Sequence, residues 1–151
     1  MRSSSDVHNA YVRSFQALSW SVAAAYLGQA VLAGQFFSGT YAALGLHATG
    51  GTVSDVILFL GLVIAALLRW HAKGPIWPFW AALSLLVANQ VQNGAGAARL
   101  ISLHIPLGVT MLAVAVAIAL AVPRARRSAG PPVHTDAGAA PGSWNRQQEL
   151  V

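Results

Sequence analysis

The apolar pattern of the chain falls into four long stretches, roughly residues 15–39, 42–69, 76–93 and 98–122, divided by short intervals rich in Gly, Pro or polar side chains. Each stretch approaches the roughly 20 residues that a helix needs to cross a bilayer. Short connections place successive spans side by side, so the pattern predicts an all-α integral membrane protein, an antiparallel four-helix bundle. The third stretch is the weakest, because Pro75 and Pro78 restrict its start and Asn89, Gln90, Gln92 and Asn93 load its far end. Residues 1–14 are expected to form a cytoplasmic N-terminal segment, and residues 123–151 a disordered cytoplasmic tail in which His134 is solvated. Arg2 and Arg13 with Ala23-Ala24-Ala25 resemble a secretory leader, but the apolar run continues through Leu32 and Phe37, so an uncleaved anchor is expected.

A displacement of 57 residues lays His47 on His104. Each is preceded by Leu and followed four residues later by Gly, namely Gly51 and Gly108. The same displacement lays Gln35 on Gln92 and Gly39 on Gly96, so the bundle is expected to consist of two repeated helix pairs.

Composition agrees with the membrane class, at 56% hydrophobic and 9% charged residues against the roughly 25% charged content of a soluble domain. The net charge of +5 reports orientation rather than an affinity for nucleic acid. Arg2, Arg13, Arg69, Lys73, Arg124, Arg126, Arg127 and Arg146 fall on one side, with Trp20, Trp70, Trp77 and Trp80 near the same boundary. Only Arg99 falls on the other, which places both termini in the cytoplasm of a multi-pass protein of the bacterial cytoplasmic membrane. The absence of Cys excludes disulfides, c-type heme attachment, iron–sulfur clusters and thiolate chemistry. Hydrolase, kinase and metalloprotease motifs are absent, and no carboxylate pair is spaced for acid–base work.

The two imidazoles remain as the candidate chemistry. The second and fourth spans are diagonal in such a bundle, so His47 and His104 are expected to meet across the core at one depth. Two His leave zinc short of protein ligands, whereas a b-type heme needs only two axial ones. Gly51 and Gly108, one turn below, are expected to leave room for a flat macrocycle. Gln35 and Gln92 are expected to hydrogen-bond between helices around the cofactor. Arg99 is expected to pair with a propionate or to act as an interfacial anchor. Asp55, the one acid inside a span, is expected to meet the amides of the third span, with Asn89 at a plausible depth; its alternative role is a proton relay. His8 and His71 lie at the cytoplasmic boundary.

The Leu-His and downstream Gly on the second and fourth spans resemble one half of heme A synthase. The resemblance covers residues 15–122 and rests on His47, Gly51, His104 and Gly108, supported by Gln35 and Gln92. It implies that His47 and His104 ligate a heme. The chain has one such four-helix unit and no acid just before His47, so the resemblance does not extend to heme modification. Two function classes follow. The first is a small b-type cytochrome, a redox carrier or heme-handling accessory to a membrane complex rather than an enzyme acting on substrate. The second is a cofactor-free scaffold or assembly subunit that binds partner helices or its own copies. Separately, a structural reading of the histidines has Pro106 and Gly50-Gly51-Thr52 starting their helices late, leaving both in interfacial loops.

Overall fold

The computed structural model describes residues 3–128, all of which lie in or between four helices: α1 (Ser4–Phe37), α2 (Ala42–Trp70), α3 (Trp77–Ala97) and α4 (Ile101–Ser128). Residues 129–151, and with them most of the expected tail and His134, lie outside the described residues.

α1 begins well before the apolar stretch does. Ser3 Oγ accepts the Asp6 N–H at 3.3 Å and the Asp6 carboxylate accepts the Ser3 N–H at 3.2 Å, a reciprocal cap that starts the helix at Ser4. Most of the expected N-terminal segment is therefore helical. Pro78 occupies the first turn of α3, where its missing N–H has no intrahelical partner to lose. α4 continues through Ser128, past the expected end at 122. Because α2 starts at Ala42 and α4 at Ile101, both His47 and His104 are helical, and the late-start reading is not what the chain adopts. The turns between helices place Gly39, Lys73 and Arg99 at positive φ, 97°, 53° and 59°.

α1 packs on α2 and α4, and α3 also packs on α2 and α4, leaving α2 and α4 as one diagonal. The core has two levels. One gathers Val22, Ala23, Tyr26, Leu58, Leu85, Met111 and Ala115, the other Val12, Phe15, Ala65, Leu68, Ala82 and Val122. Large side chains such as Leu27, Val31, Phe59, Val87 and Val109 face outward, while the buried polar residues are Ser19, Ser54 and Asn89. Large apolar side chains thus face both inward and outward, as surroundings of lipid allow. α1, α2 and the Ile101–Val122 part of α4 are long and apolar enough to cross a membrane. The amide-rich α3 is not among them.

Candidate functional site, a facing pair of imidazoles

His47 projects from the second turn of α2 and His104 from the first turn of α4. Their ring centroids lie 5.9 Å apart with planes inclined at 63°. Each ring is gripped by a glutamine of the preceding helix. His104 Nδ1 lies 3.0 Å from the main-chain oxygen of Gln92, while the Gln92 side-chain amide donates to the His104 carbonyl at 2.9 Å. His47 Nδ1 lies 3.1 Å from the main-chain oxygen of Gln29. With its amide turned as its neighbours require, Gln29 donates to the His47 carbonyl at 2.9 Å and accepts the Gly51 N–H at 3.3 Å.

The two grips differ in one respect. His104 Nδ1 has a single main-chain acceptor, which fixes the proton on that nitrogen and leaves Nε2 as the basic one. His47 Nδ1 also lies 2.8 Å from the turned Gln29 amide nitrogen. There the ring either gives its proton to the main chain or accepts one from the side chain, and only the first form leaves Nε2 free as a ligand.

The glycines beside the histidines serve the glutamines and asparagines. A Cβ at Gly108 would stand 2.8 Å from Gln92 Nε2, and one at Gly51 3.1 Å from Asn93 Oδ1. A Cβ at Gly50 would collide with the Gln29 amide. At Gly96 it would meet the His104 ring itself, 3.0 Å from Cε1 and 3.1 Å from Nδ1. Gly51 and Gly108, expected to open a face for a macrocycle, thus have amides against them.

Gln35 is exposed on α1, and Gln29 takes the place opposite His47. The reason is that Gln29 precedes His47 by 18 residues, whereas Gln92 precedes His104 by only 12. Gly39 correspondingly sits in a turn with nothing near it, unlike its displaced counterpart Gly96. Arg99 is exposed in the turn leading to α4.

Asp55 lies deeper in α2, about 12 Å below His47 at 1.5 Å per residue. Its Oδ1 accepts Asn89 Nδ2 at 2.7 Å and Gln90 Nε2 at 2.6 Å, and its Oδ2 accepts Asn93 Nδ2 at 3.1 Å. The Tyr26 hydroxyl of α1 donates to Asn89 Oδ1 at 3.2 Å. Away from this level, His8 Nδ1 approaches the Ala72 carbonyl at 3.5 Å and His71 meets Tyr11 edge to face.

The imidazole pair offers two ring nitrogens as possible ligands. Among the described residues no group of three or more His, Asp or Glu is placed to hold a metal, so the donor set is two nitrogens. That set fits a heme, whose macrocycle supplies the other four ligands, better than a bare ion.

Comparison with protein-family models, with curated proteins and with solved structures finds no match to this chain. None of these comparisons links the chain to heme A synthase.

Proposed function

We propose that this chain is a small b-type membrane cytochrome that holds one heme between His47 and His104, near the extracytoplasmic face, and serves in electron transfer or heme handling. The reading takes all four helices as an antiparallel bundle of two repeated pairs, with α3 carried across the membrane by its neighbours and both termini cytoplasmic. The observation that supports it is the approach of two imidazoles to 5.9 Å between ring centroids, each with Nδ1 in reach of a main-chain oxygen. A metal-ligating His characteristically donates its second ring N–H to such an acceptor, which orients the ring and raises its basicity. When bound, the heme would supply one-electron chemistry with His47 and His104 as the residues that would hold it, which favours a carrier over an enzyme acting on substrate. Gln29 and Gln92 orient the rings, and Arg99 stands exposed at the turn above His104, placed for a propionate or for headgroups. A respiratory or heme-handling membrane complex would be the natural partner, with self-association as an alternative arrangement.

The test is an optical spectrum of detergent-solubilised protein purified with heme supplied. A Soret band that shifts on dithionite reduction, is lost in His47→Ala and in His104→Ala, and survives in His71→Ala is expected. A folded, colourless protein that does not take up added hemin would overturn the proposal. That result would favour a cofactor-free scaffold, for which the amides seated on Gly51 and Gly108 are the supporting observation.

A further inference from the structure

Nothing in the proposed role of the histidines accounts for a second polar feature of the bundle, the Asp55 cluster. The only acid in the apolar part of α2 accepts three hydrogen bonds, all from amides of α3. One of those amides, Asn89, is 2% exposed and also accepts from Tyr26, so α1, α2 and α3 are joined at a single level. About one turn nearer the histidines the same helix carries Gln92, whose main-chain oxygen and side-chain amide both engage His104. Asn93 bridges the two levels, bonding Asp55 while resting against Gly51, which lies one turn from His47. α3 is thus fastened within one short stretch, residues 89–93, to α2 through Asn89, Gln90 and Asn93 and to the His104 segment of α4 through Gln92.

Apolar contacts set helix register poorly in lipid, where sliding one helix against another exchanges like for like. A polar contact at a single position does fix register, because a slip leaves charged and amide groups unpaired in hydrocarbon. α3 is also the helix not among those long and apolar enough to cross a membrane. We propose that Asp55 is a positioning residue: its hydrogen bonds to Asn89, Gln90 and Asn93 pin α3 to α2 and so hold His104 at the depth of His47. The ring alignment belongs to the bundle itself, and its consequence for a heme rests on the function proposed above.

The substitutions Asp55→Asn and Asp55→Leu separate a pin from a charge. Asn keeps an acceptor for Asn89 and Gln90, and an Asn93 amide turned over accepts from its new N–H; Leu keeps none of these. In heme-free protein carrying carbon-13 histidine in lipid bilayers, magnetisation transfer between the His47 and His104 rings is expected in wild type and in Asp55→Asn, and lost in Asp55→Leu. Disappearance of the cross-peak in His47→Ala assigns it. With hemin, Asp55→Leu should bind at least about tenfold more weakly and shift from a low-spin to a high-spin spectrum, while Asp55→Asn stays within about threefold of wild type. Retained ring-to-ring transfer in Asp55→Leu overturns the proposal, as does equal loss in Asp55→Asn, which would make the charge itself decisive. Should Asp55→Leu fail to insert, Gln90→Ala removes the 2.6 Å donor and leaves the carboxylate in place. Weakened transfer there supports the pin, and unchanged transfer refutes it. If the rings respond as expected while wild type takes up no hemin, the pin stands and the cytochrome reading falls.

Discussion

Replacing Gly96 by Ala tests the geometry at His104 with one methyl group. The backbone at Gly96 is ordinary helix, so Ala introduces no strain of its own. The new Cβ would stand 3.0 Å from His104 Cε1 and 3.1 Å from Nδ1. Carbon atoms rest at about 3.5–4.0 Å, so the ring must retreat by about 0.5 Å. The bond from Nδ1 to the Gln92 carbonyl is 3.0 Å long. A retreat of that size carries it to the edge of hydrogen-bonding range and removes about 1 kcal/mol of net stabilisation. Exchanging Gly for Ala returns at most about 1 kcal/mol of helix propensity, and less this close to the end of α3. Global stability should therefore change by less than about 1 kcal/mol while the ring loses its acceptor. Nitrogen-15 histidine spectra in bilayers read the bond directly: the hydrogen-bonded Nδ1–H signal of His104 should weaken and exchange faster, with His47 unaffected. Gly94→Ala is the control, since the same change two residues away meets nothing within 4 Å. An unaltered His104 signal in Gly96→Ala would show that the ring does not lie against α3 as described.

Other substitutions probe the remaining elements. Tyr26→Phe removes the donor to buried Asn89 and should cost about 1–2 kcal/mol in a reversible detergent unfolding titration, without exposing new surface. Gly61→Ala, on the buried face of α2 beside a small apolar cavity, should stabilise by about 1 kcal/mol in the same titration, since its Cβ meets nothing. In the turns, Lys73→Gly should relieve a left-handed residue and stabilise by about 0.5–1 kcal/mol, whereas Gly39→Ala should destabilise by a similar or larger amount. Equal signs for these two would contradict the turn conformations.

The helices were legible in the sequence because spans of this apolarity and length have few alternatives, and α2 begins where the pattern puts it. The start of α1 was missed because a capping box in a polar segment is invisible to hydropathy, although Ser3 and Asp6 have the right spacing for one. The histidine pair was legible through duplication, but its glutamine partners were only half so. A uniform displacement of 57 selects Gln35, yet the glutamine beside His47 is Gln29, which stands 63 residues before Gln92. Tyr26 and Asn89 are 63 residues apart, and at that spacing buried Phe15, Ser19 and Val22 fall on buried Pro78, Ala82 and Leu85. Ser54, Leu58 and Ala65 fall on Met111, Ala115 and Val122 at the histidine spacing. Sliding each helix separately would have found Gln29. The glycines misled because a missing side chain signals close approach without saying by what. Asp55 and its amides followed from cost alone, since a lone acid in a span needs donors and α3 has them.

The oxygens nearest each imidazole Nδ1 in the main chain belong to peptide bonds of Gln29 and Gln92, not to their side chains. Every amino acid carries that same oxygen, so codon changes at these two positions leave the acceptor intact and alter only the grip on the following helix. Random mutagenesis for loss of ring orientation should accordingly yield prolines and bulky intruders that displace a stretch of helix, and few simple replacements of either glutamine.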